Sequence, residues 1–161
     1  MKRSRRRIAA LVAGVVVSVL AAGASVGADS GGGMQGQGEM RLRGLEVRIH
    51  NGTGCRLTLS RSGLDWGEYV TEPTATIPKG QNGGFKAQSR AASFSGVEGF
   101  VKYTSSNCDE SWRNQHTATL NFDLPPVGTN TYTVDGSGAF ESRLSGGSGA
   151  QAVLMWGLSK R

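Results

Sequence analysis

Apolar and polar residues alternate at period two through several separate segments of this chain. Leu42 to His50 puts Leu45, Val47 and Ile49 on one face, and Cys55 to Leu59 puts Leu57 and Leu59 inward. Phe85 to Gln88 is a shorter run of the same kind, and Ser93 to Thr104 a longer one. Thr117 to Leu124 and Thr129 to Val134 flank Pro125-Pro-Val-Gly128 and are expected to pair across it. Ala152 to Leu158 is almost continuously apolar and reads as a closing strand inside a sheet. Side chains leave a strand on opposite faces in turn, so alternation marks a strand with one buried face. No stretch after Ala28 has a convincing helical period, which predicts an almost wholly β domain.

Glycine and proline divide these runs. Asn51-Gly52 is a strong two-residue turn signal and predicts a hairpin between the first two strands. Asn51-Gly-Thr53 also fits the glycosylation acceptor pattern. The arginine-rich leader looks bacterial, so this motif is taken as turn chemistry. Gly67 to Gly80 is expected to be extended, with its prolines at an edge or boundary. Gly96 and Gly99 predict a bulge or a close backbone approach, and Asp135–Gly138 and Ser145–Gly149 predict loops. Roughly seven to nine short strands at this spacing point to a single antiparallel β-sandwich over 42–161. A small barrel would leave the same pattern.

The first residues carry Lys2, Arg3, Arg5, Arg6 and Arg7, then an apolar stretch to Ala22 and a small-residue site ending Val26-Gly27-Ala28. That order predicts a cleavable signal peptide over 1–28, with Ala24 as a second cleavage point. Ser4-Arg-Arg-Arg-Ile8 also fits a twin-arginine export signal. Alanine and glycine dilute the stretch too far for a membrane span, so the protein is expected to be secreted. Residues 29–41, rich in glycine, read as a flexible leader. Removing 1–28 lowers the formal charge from +6 to +1, because five basic and no acidic residues go with it. No basic stripe then remains for nucleic acid, and no polybasic cluster for anionic lipid.

In an exported protein, Cys55 and Cys108 read as one disulfide rather than as a metal site, since zinc would need further Cys or His ligands. His50 and His116 have no nucleophile or ligand nearby in sequence. Glu68, Glu72, Glu98 and Asp123 offer carboxylates, but pairing for acid–base work depends on spatial separation. Neither an enzyme nor a cofactor is therefore expected. Trp66, Tyr69 and Trp112 fall in polar, turn-like settings, and rings of this kind either plug the ends of a sandwich or sit exposed to bind a ligand. Trp156 lies in an apolar run and belongs to the core.

Four motifs in order carry a resemblance: Val47-Arg-Ile-His-Asn51, Gly84-Phe-Lys-Ala-Gln-Ser-Arg90, Ser95-Gly-Val-Glu-Gly-Phe-Val101, and Asp123-x-Pro125-x-x-Gly128-x-Asn130-x-Tyr132. Together they resemble the aegerolysins and their bacterial relatives, which include an insecticidal crystal protein. The turn departs from that pattern, reading Pro-Val at 126–127 where the family tends to carry an aromatic residue. The resemblance implies a β-sandwich that binds membrane lipid headgroups, often of sphingolipid type, sometimes as the lipid-recognising part of a cytolysin or toxin with a pore-forming partner protein. On that reading Trp66, Tyr69 and Trp112 are the lipid-binding residues. The alternative is a secreted carbohydrate- or protein-binding module with no membrane activity.

Overall fold

The computed structural model describes residues 42–90 and 95–161. The predicted signal peptide and leader, and the first residues of the Ser93–Thr104 run, lie outside the described residues. Ten strands follow in order: β1 (Gly44–Gly52), β2 (Arg56–Trp66), β3 (Glu68–Thr71), β4 (Thr76–Ile77), β5 (Asn82–Gln88), β6 (Val97–Ser106), β7 (Thr117–Leu124), β8 (Thr131–Asp135), β9 (Phe140–Gly146) and β10 (Gln151–Lys160). One short 3-10 turn, Ser111–Arg113, interrupts the β6–β7 connection. The strands form two five-stranded sheets, β3-β5-β1-β10-β9 and β4-β2-β6-β7-β8, packed as a sandwich.

Period-two alternation decides the core. Leu45, Val47, Ile49, Phe85, Leu154, Trp156 and Leu158 face inward from the first sheet, and Leu57, Val97, Val101, Tyr103, Leu120, Phe122 and Leu124 from the second. Phe85 meets Phe122 across the gap with ring centroids 5.4 Å apart, and Tyr103 meets Trp156 at 6.4 Å. Tyr103 keeps its hydroxyl satisfied by donating to Thr74 O at 2.9 Å, and burial pushes its phenol well above the usual range. Trp156 is fully buried, as expected.

Three expectations are corrected. β10 does lie inside its sheet, but it pairs parallel with β1, Gly44 opposite Gln151 through Gly52 opposite Ser159. The first and last strands of the domain thus run side by side in one direction, and the sandwich is antiparallel elsewhere. Asn51-Gly52 does not close a hairpin, because β1 and β2 belong to different sheets. Instead the Asn51 side chain, fully buried, gathers the crossover. Its amide donates toward Cys55 O, Ile77 O and Pro78 O at 2.8–3.0 Å, and its Oδ1 accepts from Thr53 N and Oγ1. Finally, β9 was not expected. Its alternation is short, and Glu141 and Arg143 point outward along a sheet edge, where charge suppresses pairing with other chains.

Other signals hold in part: β2 runs past the expected Leu59 to Trp66, and Asp135, Ser145 and Gly146 lie in strands rather than in the expected loops. β7 and β8 pair across the Pro125–Gly128 turn. Prolines 73 and 78 flank β3 and β4, both edge strands. Gly99 permits a close approach: a Cβ there would lie 2.3 Å from Gly63 O, next to the register shift between Leu64 and Trp66.

Candidate functional site at one end of the sandwich

Strand direction determines which loops meet. The β2–β3 turn, the segment before β6, the β7–β8 turn, the β9–β10 loop and the start of β1 all collect at one end. The register shows this: Trp66 pairs with Glu98, Val97 with Leu124, Gly44 with Gln151 and Gln88, and Glu68 with Gln88. Gly67 makes the reversal between Trp66 and Glu68 at φ +98°, and a Cβ there would press to 2.7 Å from Gln88 O.

Trp66 stands 59% exposed at this end. It borders a cleft of about 370 Å³ lined also by Ser95, Gly96, Glu98, Asp123, Pro125 and Pro126. Glu98 and Asp123 lie directly opposite each other on β6 and β7, half-buried on the outer face, and with Asp65 they also line a smaller groove of about 180 Å³ beside it. Pro125–Gly128 forms the far wall, and Val127 at its tip is 74% exposed.

Beyond that turn lies a second cleft of about 360 Å³, between the β7–β8 turn and the β9–β10 loop. Its walls are laced together. Arg43 donates to Gly128 O at 3.2 Å, Asn130 Nδ2 to Gly147 O at 2.8 Å and Gly149 O at 3.0 Å, and Tyr132 Oη to Gly147 O at 2.8 Å. Burial pushes the Tyr132 phenol up, against the hydrogen bond from Asn130. Asn130 Oδ1 is buried without a hydrogen-bond partner. Both loops therefore present a fixed surface.

The exposed large apolar side chains are distributed unevenly. Leu42, Trp66 and Val127 sit at this end, and Val70 and Val153 within about two residues of it along β3 and β10. Met155 is farther along β10, and only Trp112 lies at the opposite end among the described residues.

The three predicted ligand-binding rings are thus not brought together. Tyr69 is half-buried, its ring edge-on to Phe85 at 6.0 Å, and burial raises its phenol. It belongs to the wall of the core. Trp66 and Trp112 are both exposed, but Trp112 follows the disulfide at the start of β2 while Trp66 ends that strand. Ten residues of strand rise put them about 30 Å apart. Cys55 and Cys108 are bonded as expected, and Asp109 N donates to Gly54 O at 3.0 Å beside them. Arg43, Val127, Glu98 and Asp123 were not expected as site residues. Glu98 and Asp123 were marked only as carboxylates within the resemblance motifs and Val127 only by the departure of its turn, and nothing local marks Arg43.

No family model matches the chain, and no curated protein matches it in sequence. Solved structures do. The fold is similar to that of the lipid binding protein Nakanori (TM-score 0.63, 15% identity, covering 73% of this chain and 71% of that one). It is also similar to RahU, solved in complex with a TRIS molecule (TM-score 0.57, 14% identity, 74% and 96%), and to IP-1A from Alcaligenes faecalis (TM-score 0.56, 13% identity, 74% and 91%). These likenesses establish an aegerolysin-like sandwich fold.

Proposed function

We propose that this chain is an exported protein that binds lipid headgroups at a membrane surface through the Trp66 end of its sandwich. The observation that carries this reading is the asymmetry of exposed apolar residues: Leu42, Trp66, Val70, Val127 and Val153 cluster at or near one end. Scattered apolar residues are ordinary on a protein surface, whereas a cluster around a concave site is not. The rigid loops suit the role, since a preformed surface loses little freedom on binding. The fold shared with a lipid binding protein adds support.

Residue chemistry refines the ligand class. Trp66 beside Glu98 and Asp123 combines a ring face with carboxylates, which attracts an ammonium group. Across the turn the partly exposed Arg43 guanidinium offers a partner for phosphate. The proposal is therefore a zwitterionic headgroup carrying phosphate and ammonium, as sphingomyelin and phosphatidylcholine do. A cytolytic role with a pore-forming partner protein is the finer form of this proposal and rests on the family resemblance. The proposal assigns the chain no catalysis: His50 bonds Asn82, and His116 packs against Trp112.

The test is co-sedimentation of the oxidised protein with vesicles of phosphatidylcholine, phosphatidylglycerol, or phosphatidylcholine with sphingomyelin. Binding should prefer the zwitterionic vesicles, survive high salt, and fall about tenfold or more in Trp66→Ala from the lost apolar contact. Binding only to phosphatidylglycerol, abolished by salt, would contradict it, as would no binding at all.

A further inference from the structure

We propose that Trp112, at the opposite end of the sandwich, is a stacking platform for the apolar face of a pyranose ring and so forms a second, carbohydrate-binding site.

The ring is 56% exposed yet held from several sides. Its Nε1 donates to Glu110 Oε2 at 2.9 Å. Arg113 lies against it with its guanidinium carbon 4.8 Å from the ring centroid, and His116 packs edge-on at 6.0 Å. Arg113 is itself buried, at 4% exposure, and anchored by Glu110 Oε1 at 2.7 Å and by Arg161 O at 3.0 Å. Behind them Ser105 Oγ engages the Arg113 and His116 carbonyls, and the Cys55–Cys108 bridge ties the segment to the start of β2. With Arg113 against one face and so much of the ring still exposed, the other face is the one open to solvent. Such a platform is preorganised, so a ligand stacking on it meets little ordering cost.

The surroundings select the ligand. A membrane-seeking tryptophan sits among other apolar groups and keeps its indole N–H for the interface. Here the N–H is taken, and the exposed neighbours in sequence are Asp109, Glu110, Ser111 and Gln115. A protein-binding hot spot is normally ringed by further well-packed contacts, and no second large apolar side chain is exposed at this end among the described residues. One flat apolar face within a rim of hydrogen-bonding groups matches a sugar ring, which pairs an apolar C–H face with peripheral hydroxyls. The distance from Trp66 leaves both ends free to be occupied at once.

The experiment labels the three tryptophans with ¹⁵N and follows their indole N–H resonances while β-linked glucose, β-linked N-acetylglucosamine and α-linked mannose oligosaccharides are titrated separately. The Trp112 resonance should move saturably with at least one of them while Trp66 and Trp156 stay still. Trp112→Ala should weaken that binding about tenfold or more. Trp112→Phe, which keeps a ring, should retain part of it, with vesicle binding unchanged in both variants. If Trp112→Ala fails to fold, Trp112→Phe and the wild-type titration still decide. Two outcomes overturn the proposal: no saturable shift with any of the sugars, or a shift at Trp66 instead.

Discussion

Asn51→Asp separates two accounts of the same dipeptide. If Asn51-Gly52 were a hairpin turn, aspartate would serve nearly as well, because Asp-Gly is equally at home there. In the folded chain Asn51 is fully buried, and its amide faces three carbonyl oxygens, Cys55 O at 2.8 Å, Ile77 O at 3.0 Å and Pro78 O at 2.9 Å. Aspartate replaces two N–H donors with an oxygen aimed at those carbonyls. Each buried acceptor left without a donor costs about 1–3 kcal/mol, and a buried charge adds to this. Losing at least two bonds gives about 4 kcal/mol, a large share of the 5–15 kcal/mol that holds a typical domain together. For a domain of this size that is a fall in Tm of about 10–15 °C. Thermal and urea unfolding with the disulfide intact would measure it. A second signature follows from sign. A buried carboxyl has a raised pKa, so the deficit should narrow as pH falls and the protonated acid regains an O–H donor. A loss below about 1 kcal/mol, independent of pH, would refute the reasoning.

Other consequences are read from the same contacts. Cys55→Ser with Cys108→Ser opens a bridge spanning a sequence separation of 53, which the chain-entropy relation values at about 4 kcal/mol at most, so urea unfolding should show a loss up to that size. Gly99→Ala presses a methyl into Gly63 O, 2.3 Å from the ideal Cβ, and should cost about 1–3 kcal/mol in the same assay. Burial raises the phenols of Tyr103, Tyr69 and Tyr132, so the folded state holds their protons while the unfolded chain releases them near pH 10. Stability should therefore be intact below pH 10 and fall above it, with ultraviolet titration showing phenolate appearing at higher pH in the folded protein than in the unfolded chain.

Much of the sandwich was legible because burial on one face writes itself into the sequence at period two. β1, β5, β6, β7, β8 and β10 were found that way, and the glycines at 96 and 99 foretold close approach. Only the β7–β8 pair was legible, from the turn between them; the other pairing partners were not, since alternation shows which face is buried but not which strand lies alongside. That is why the parallel β1–β10 pair and the Asn51 crossover escaped. Asn51-Gly52 has the same local signature whether its amide faces water or three buried carbonyls. β9 was lost because only Phe140, Ser142 and Leu144 face the core side, with charges between them. For the site, the sequence marked Trp66 and Trp112 as candidates for exposure, but a strand's length separates them. Topology alone brings Trp66 to Arg43, Glu98, Asp123 and Val127.

The most direct test of the central claim asks which end meets the bilayer. Vesicles with brominated acyl chains quench only tryptophans that reach the acyl boundary, and Trp66→Phe and Trp112→Phe variants assign the signal. With zwitterionic vesicles the wild type and Trp112→Phe should be quenched alike, and Trp66→Phe should lose the quenching. Quenching that persists in Trp66→Phe and disappears in Trp112→Phe would place the membrane at the other end and contradict the account.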